Sequence, residues 1–255
     1  MKKHLLIASI IALLTWTSLW AAQDQDGFTT QQKEEIEQII HNYLVEKNPQ
    51  VLIEATQVLQ EQEQGEMLAN IQSSIVTYAD SLFNSDSPIL GNGDGNVGIV
   101  EFFDYQCIYC KQVVSTIGEL KDEDENLMII LKEFPIFGDE SEFASKAALA
   151  ARDQDRYFEF HEALMQVQGR FDEGTVLGVA KEIGLDIEKL QTDMQKPEIE
   201  QEIADNLMLA NILGIMGTPT FIIANLPTDD DMQIRFIPGT ASMEELQNAV
   251  KEVRS

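Results

Sequence analysis

The spacing of apolar residues along this chain of 255 residues predicts a helical N-terminal segment followed by a domain of alternating strands and helices. From Thr30 onward, apolar residues recur at steps of three and four, the period of an amphipathic helix. Asn48 and Pro49 have the residue types of a helix N-cap and a first helical position, so they predict a second helix, which runs to about Leu82.

The apolar positions of the second helix form two blocks, separated by Gly65 and a polar run, and the heptad phase does not carry across. Both helices have long polar faces and no obvious partner within 30–82. Packing on the chain's own domain and self-association would each cover their apolar stripes. Because a complete domain follows, after a linker predicted at 84–87, self-association is favoured. Residues 23–84 are therefore predicted to be an oligomerisation segment.

The rest of the chain alternates between buried-type strands and helices. Strands are predicted at 89–90, 97–103, 127–134, 218–223 and 232–239, and helices at 110–121, at 242–253 and throughout 141–213. Ser242 and Glu245 form a capping-box pattern at the start of the last helix. Strands that alternate with helices indicate an α/β fold. The long helical stretch is interpreted as an all-helical insertion in a domain that spans 85–255.

Residues 1–22, MKKHLLIASIIALLTWTSLWAA, have the layout of a secretory signal: a basic start, an apolar run and small residues at Ala21 and Ala22. The apolar run is shorter than the stretch of about 20 residues that spans a membrane. A large residue three positions before either candidate cleavage site leaves an uncleaved anchor as the alternative. The chain is predicted to be exported to the periplasm, with association to the envelope as a variant of this prediction.

The net charge of the chain argues against some classes of binding partner. The chain has 17 lysines and arginines against 44 aspartates and glutamates, which gives a net charge of −27 at pH 7. Such a field repels nucleic acid phosphates and anionic lipid headgroups. The composition therefore argues against a nucleic-acid binder and says little about chemistry.

The stretch EFFDYQCIYCKQV contains the chain's only two cysteines, Cys107 and Cys110. A structural disulfide, half of a metal site and a redox dithiol are the three interpretations. A structural disulfide normally closes a longer loop, because its stabilising effect grows with loop length. A zinc site needs two further ligands, whereas His41 and His161 lie in predicted helices without paired spacing.

The position of the pair favours the redox dithiol. Cys107 follows a buried strand at the start of the next helix, where unpaired N–H groups and the helix dipole lower a thiol pKa. Cys110 lies one turn further along and is able to reach back and form a small disulfide ring. Thiol–disulfide exchange needs this arrangement, in which an exposed thiolate attacks and a buried neighbour resolves the mixed disulfide.

Four motifs, EFFDYQCIYC, LKEFPIFGDESEFASKAALAA, GIMGTPTFII and FIPGTASMEEL, resemble in content and order those of the DsbA-type branch of the thioredoxin superfamily. The resemblance covers about 89–255 and implies a thioredoxin fold with an all-helical insertion. The helical segment before it is similar to the N-terminal oligomerisation segment of ScsC-like relatives. The resemblance implies a homodimer or homotrimer that needs no metal and no organic cofactor.

The resemblance also implies roles for five residues. Cys107 exchanges disulfides with a client protein, and Cys110 resolves the mixed disulfide. Pro219 matches the family's cis-proline beside the cysteines, and Thr218 matches the residue that tunes thiol reactivity; both would bind the client. Glu101, six residues before Cys107, matches a buried carboxylate that relays a proton, with an ordinary surface carboxylate as the alternative.

The residues around the cysteines depart from the oxidase pattern. Ile108 and Tyr109 stand where DsbA oxidases carry Pro-His, so no imidazole lies in the motif to favour the thiolate. With the threonine–proline pair, Tyr109 is similar to the dimeric isomerases of the DsbC kind. Lys111 is a candidate to stabilise the thiolate, with a solvated lysine as the alternative. Met216 and Phe221 are candidates to line an apolar groove for unfolded substrates.

These predictions describe an exported thiol–disulfide oxidoreductase that acts on unfolded or misfolded client proteins and exchanges electrons with a membrane redox partner. Facing active sites in an oligomer would enclose a groove for misfolded chains, so a disulfide isomerase with some oxidase activity is favoured. Two alternatives remain. One is a monomeric DsbA-like oxidase, and the other is a non-catalytic copper- or thiol-binding envelope protein.

Overall fold

The computed structural model describes residues 27–84, 86–169, 171–227 and 232–255. The predicted signal at 1–22 lies outside the described residues. The chain divides into two compact units at the junction of Glu66 and Met67. Within the described ranges, no helix is long and apolar enough to cross a membrane.

The first unit is made of helices. Helix α1 spans Thr30–His41, and a π-helical turn, which the sequence did not predict, spans Asn42–Lys47. Helix α2 spans Gln50–Thr77, so it begins directly after the predicted proline and continues beyond the unit boundary. Thr29 caps α1 through a capping box with Gln32. None of the described residues up to position 66 is buried, so the apolar stripe predicted here is uncovered in the single chain.

The second unit begins with the end of α2 and continues with strands and further helices. Their bounds are α3 Ala79–Phe83, β1 Ile89–Gly91, β2 Val97–Phe103, α4 Ile108–Glu123, β3 Leu127–Glu133, α5 Asp139–Ala150, a 3-10 turn Ala151–Gln154, α6 Tyr157–Met165, α7 Glu173–Glu182, α8 Ile187–Asp193, α9 Pro197–Ile212, β4 Thr220–Asn225, β5 Ile234–Pro238 and α10 Met243–Arg254.

The described strands form one sheet in the order β1-β3-β2-β4-β5. Strands β2 and β3 are parallel and are joined through α4, whereas β1, β4 and β5 run antiparallel to their neighbours. The parallel pair is buried along its whole length, as expected of strands covered on both faces. The helices α5 to α9 separate β3 from β4. This is the thioredoxin fold with an all-helical insertion, and the predicted fold class is confirmed.

Each face of the sheet has its own apolar core. On one face, α4, α10 and much of the insertion pack against the central strands. On the other face, Ile75, Leu82 and Phe83 pack against Val100. A Cβ on Gly98 would come within 2.6 Å of the Phe83 ring, so glycine lets α3 approach the sheet closely. The second apolar block of the predicted helix therefore packs on the chain's own domain, and self-association stays a prediction for the exposed first block.

We expect Ile75→Ala to lower the free energy of unfolding by about 2–5 kcal/mol, because it leaves a cavity against the sheet. Val76→Ala on the same helix is the matched control. Val76 is 51% exposed and Ile75 is 0% exposed, so the control should change stability by less than about 0.5 kcal/mol. Urea unfolding followed by circular dichroism measures both. Equal losses would contradict the packing of α2 on the sheet.

Candidate active site

The two cysteines lie where β2 ends and α4 begins. Cys107 is the N-cap of α4, and its Sγ accepts a hydrogen bond from the Cys110 N–H at 3.4 Å. The Cys107 N–H donates to the Asp104 carbonyl oxygen at 3.1 Å, which fixes the turn. Both cysteines are free thiols. Because the first N–H groups of a helix have no partner inside the helix, this position stabilises a negative charge on Cys107.

The two thiols differ strongly in acidity. A hydrogen bond from the Cys110 side chain is the largest influence on Cys107, and against the opposing effect of burial it lowers the pKa of Cys107 to about 6. Burial, the same hydrogen bond and the charge of Glu101 raise the pKa of Cys110 far above its ordinary value. At neutral pH, Cys107 is therefore a thiolate and Cys110 a thiol. Since the thiolate is the nucleophile, the pair has the asymmetry that thiol–disulfide exchange requires.

Cys107 is more enclosed than the sequence predicts. The residue is 3% exposed, and Cys110 is 0% exposed. The expectation of an exposed attacking thiol is therefore wrong, because Sγ lies between the Cys110 N–H and the carbonyl oxygen of Thr218, which is 3.2 Å away. A client must therefore come close enough to displace the Thr218 loop from the Cys107 sulfur.

Apolar side chains that are near Cys107 or near its covering loop in the sequence are exposed on the surface. Ile108 and Tyr109, between the cysteines, are 65% and 57% exposed, and Met216 is 92% exposed. The prediction that Phe221 lines the same surface is wrong, because its side chain is fully buried in the core on β4. Exposed apolar groups near a reactive centre mark a surface that binds another molecule.

The loop before β4 covers Cys107. The Thr218–Pro219 peptide bond is cis, and Pro219 is buried. The antiparallel pairing of Thr220 with Phe102 places this loop beside the end of β2. A hydrogen bond of the Thr218 side chain helps to lower the pKa of Cys107. The loop thus brings both the backbone carbonyl and the side chain of Thr218 to the thiol.

Glu101 lies on β2, paired with Leu131 on β3 and with Phe221 on β4. It is 4% exposed, so the alternative of a surface carboxylate does not hold. Burial, and to a smaller extent the charge of Cys107, raise the pKa of Glu101 to about 8. The carboxyl group is therefore mostly protonated at pH 7 and exchanges its proton near neutral pH.

Lys111 interacts with the helical insertion. Its Nζ donates a hydrogen bond to the Val167 carbonyl oxygen at 2.7 Å and lies 5.2 Å from the centroid of the Phe171 ring. Burial lowers the pKa of Lys111, and the charges of Asp104 and Cys107 oppose this effect. The lysine therefore acts on the thiolate through its charge, while its hydrogen bond holds the insertion against α4.

Sequence reasoning missed Glu133, a fully buried carboxylate at the end of β3. It accepts hydrogen bonds from the hydroxyl groups of Tyr105 at 2.9 Å, Tyr157 at 2.8 Å and Ser145 at 2.8 Å. The Tyr105 hydroxyl also lies 3.2 Å from Nδ1 of His161. Burial raises the pKa of Glu133 to about 8 and lowers that of His161 to about 3. The only signal in the sequence is a charged residue inside an apolar strand, which needs buried partners.

The thioredoxin fold, with an acidic thiol, a buried partner thiol and a cis-proline loop at one point, defines a thiol–disulfide oxidoreductase. The chain belongs to the DSBA-like thioredoxin domain family, whose model matches residues 98–251. Residues 32–66 match a second model, the copper resistance protein ScsC N-terminal domain. The family resemblance of the sequence motifs is confirmed.

Solved structures of other proteins are similar to this chain. A thioredoxin-like oxidoreductase from Silicibacter pomeroyi is 44% identical, with a TM-score of 0.63 over 69% of this chain and 96% of that one. The thiol-disulfide exchange protein alpha-DsbA2 from Wolbachia pipientis is 31% identical, with a TM-score of 0.64 over 71% and 95%. ScsC from Proteus mirabilis in a compact conformation is 27% identical, with a TM-score of 0.60 over 86% and 96%.

The curated relatives include much longer proteins. The Na(+)/H(+) antiporter NhaA 1 of Salinispora arenicola is 28% identical over 137 residues, which cover 53% of this chain and 21% of the antiporter. The chain thus spans about a fifth of the length of the first curated relatives it matches. The antiport activity in that name is a property of the longer protein.

We expect the rate at which iodoacetamide alkylates the reduced chain to rise with pH around a midpoint near 6, since only the thiolate reacts and the pKa of Cys107 is about 6. Cys110→Ala removes the hydrogen bond that lowers this pKa most. Its midpoint should therefore move up, toward the ordinary thiol value of about 8.5. An unchanged midpoint in Cys110→Ala would show that the N–H groups at the helix start and the Thr218 side chain set the acidity of Cys107 without the Cys110 thiol.

We expect Glu101→Gln to stabilise the chain at pH 8 and to leave its stability nearly unchanged at pH 4. The pKa of Glu101 is about 8 when folded and near 4.5 otherwise. The unfolded chain therefore loses a proton that the folded chain keeps, and stability falls as the pH rises between these values. Glutamine removes this loss. The increase in melting temperature should grow to several degrees by pH 8.

The matched control for this variant is Asp94→Asn, an acid-to-amide change in an exposed turn before β2. Its difference in melting temperature from the unaltered chain should not grow with pH. If Glu101→Gln behaves like this control between pH 4 and pH 8, Glu101 does not hold a proton in the folded chain.

Proposed function

We propose that this chain is an exported disulfide isomerase with some oxidase activity, which acts on cysteines of unfolded or misfolded client proteins. The observation that carries the proposal is the dithiol at the start of α4, where the Cys107 sulfur caps the helix and accepts the Cys110 N–H. The pKa of Cys107 falls to about 6, while that of the buried Cys110 rises. A thiol of low pKa is ionised at neutral pH and is a good leaving group from a mixed disulfide.

The proposed reaction begins when the Cys107 thiolate attacks one sulfur of a client disulfide. A mixed disulfide forms, and the other client sulfur leaves as a thiolate. In isomerisation, that client thiolate or another one attacks a client disulfide sulfur, and the final attack on the mixed disulfide releases Cys107 with no net oxidation. If Cys110 attacks Cys107 instead, the client is released reduced and the enzyme holds a disulfide. The reverse sequence oxidises a client dithiol.

Cys110 must lose its proton before it resolves the mixed disulfide, and we assign that proton to Glu101. The two groups interact electrostatically, since the charge of Glu101 raises the pKa of Cys110. With a pKa of about 8, Glu101 is ionised in a fraction of the molecules near neutral pH, and this ionised form accepts the Cys110 proton. Glu101 is neutral after the transfer, so two buried negative charges do not coexist.

The client is proposed to bind along the loop formed by Thr218 and Pro219. The Thr218 carbonyl oxygen lies 3.2 Å from the Cys107 sulfur, so a client segment that binds along this loop is placed directly beside the nucleophile. Around it, the exposed side chains of Ile108, Tyr109 and Met216 offer apolar surface to an unfolded chain.

Self-association is proposed for the first unit, as a homodimer or homotrimer. Apolar side chains of this unit are more than half exposed: Ile39, Ile40, Tyr43, Ile53, Val58 and Leu59. The match of residues 32–66 to the ScsC N-terminal model supports a separate role for this segment. Residues 1–22 are proposed to direct export to the periplasm, where a membrane redox partner would set the redox state of the dithiol.

We expect the chain 23–255 to be an oligomer that reactivates scrambled ribonuclease, and a chain starting at Met67 to be a monomer that does not. The shorter chain keeps Ile75 and the whole second core. It should still reduce small disulfides, because both cysteines lie within it. Light scattering measures the mass, and recovery of ribonuclease activity measures isomerisation.

Two variants of the longer chain complete the experiment. Ile39→Glu puts a charge on the exposed stripe and should reproduce the deletion, while Cys107→Ser should abolish reshuffling and keep the oligomer. If both lengths are monomers without reshuffling activity, the isomerase proposal fails. Stoichiometric Cu(I) binding by the dithiol without activity would favour the thiol-binding alternative.

A DsbA-like oxidase is the second candidate function. The low pKa of Cys107 favours it, because a stabilised thiolate stabilises the reduced enzyme and makes its disulfide a better oxidant. The same experiment separates the two, since an oxidase converts reduced ribonuclease to the oxidised form as a monomer and does not reshuffle the scrambled form.

A further inference from the structure

Asp104 lies in the turn between β2 and the redox helix and is fully buried. Its carboxylate accepts four hydrogen bonds. Oδ1 accepts from the Gln106 N–H at 2.7 Å and from the Ser141 hydroxyl at 2.7 Å. Oδ2 accepts from the N–H groups of Ile136 at 2.8 Å and Phe137 at 3.1 Å. One side chain therefore ties together the turn before Cys107, the loop after β3 and the first helix of the insertion.

The loop at 134–138 carries two apolar side chains on the surface, although its backbone is anchored inside. Ile136 is 37% exposed and Phe137 is 53% exposed. The amide of Gln106, the residue before Cys107, contacts the same loop, since its Nε2 donates to the Phe137 carbonyl oxygen at 3.4 Å and to the Ser141 hydroxyl at 2.9 Å. The loop is thus held directly beside the turn that positions the nucleophile.

We propose that Asp104 is a positioning residue for client binding, which holds Ile136 and Phe137 in place beside Cys107 so that they form part of the client-binding surface. The inference rests on the proposed function, because it concerns the substrate of that same site. The client chemistry it implies is an unfolded segment with apolar side chains next to its cysteine. Reduced glutathione is a small thiol without apolar side chains next to its cysteine, so it lacks the groups that would contact Ile136 and Phe137.

A carboxylate suits this position better than any neutral side chain. All four partners of Asp104 present hydrogens, and an ionised carboxylate only accepts. Asparagine has the same shape, but its NH2 group would face N–H or O–H donors and break the hydrogen bonds on one side. Hydrogen bonds to an ionised acceptor are also the stronger ones. Asp104→Asn therefore loosens the loop while it leaves both cysteines and the backbone of the turn present.

The test compares Asp104→Asn with Asp94→Asn, an acid-to-amide control at the opposite end of β2. Each oxidised full-length chain is assayed with a dithiol peptide that has apolar residues beside its cysteines, with glutathione disulfide in excess to reoxidise Cys107 and Cys110 after each turnover. Its reaction with reduced glutathione is followed separately as a single turnover. We expect Asp104→Asn to raise KM for the peptide about tenfold, since the loop side chains must be reordered on binding. We expect kcat and the glutathione rate to stay within about twofold of the control.

A second variant covers the case in which Asp104→Asn does not fold. Ile136→Ala with Phe137→Ala removes the side chains that the loop presents, leaves the Asp104 hydrogen bonds intact, and should show the same selective rise in KM. A parallel loss with peptide and glutathione overturns the inference, because it would place the effect on the thiol. An unchanged KM in the folded variants also overturns it. If the unaltered chain fails to act on the peptide at all, the proposed function fails instead.

Discussion

The hydrogen bonding of the Cys107 sulfur at the start of α4 is the interaction on which the active site depends. The sulfur accepts from the Cys110 N–H at 3.4 Å, and hydrogen bonding with the Cys110 thiol lowers the pKa of Cys107. Burial, more than this hydrogen bond, raises the pKa of Cys110. Because β2 ends at Phe103 and α4 begins at Ile108, Cys107 is the helix N-cap, where N–H groups without a partner inside the helix stabilise a negative charge.

Three acidic side chains on or next to the two parallel strands are also buried. Asp104 accepts four hydrogen bonds from two loops and a helix. Glu133 accepts three from hydroxyl groups, mostly of the insertion. Glu101 lies between apolar strands, and burial raises its pKa to about 8, as it does for Glu133. Asp104 and Glu133 therefore hold loops and helices in place through their hydrogen bonds, whereas Glu101 interacts electrostatically with the two cysteines.

The sequence predicted what depends on short-range patterns and missed what depends on distant partners. The strands, the start of α4 and the family of the chain followed from periodicity and local motifs. The partners of Glu133 could not be predicted in this way. Tyr157 and Ser145 lie in the insertion, and no local sequence pattern shows that the insertion packs against β3. For the same reason, the spacing of apolar residues around Ile75 predicted an apolar helix face but did not show which part of the protein covers that face. Phe221 was misassigned because a fully buried strand has no polar alternation to reveal which side faces the core.

The residues of the redox site and the segment proposed for self-association lie in different units of the chain. The dithiol, Glu101 and the loop of Thr218 and Pro219 all lie in the second unit, and both faces of its sheet are covered by residues after Met67. The low pKa of Cys107 favours an oxidase but is compatible with an isomerase, so the active site does not by itself select the isomerase. Under the proposed function, self-association of the first unit through its exposed apolar side chains makes that selection.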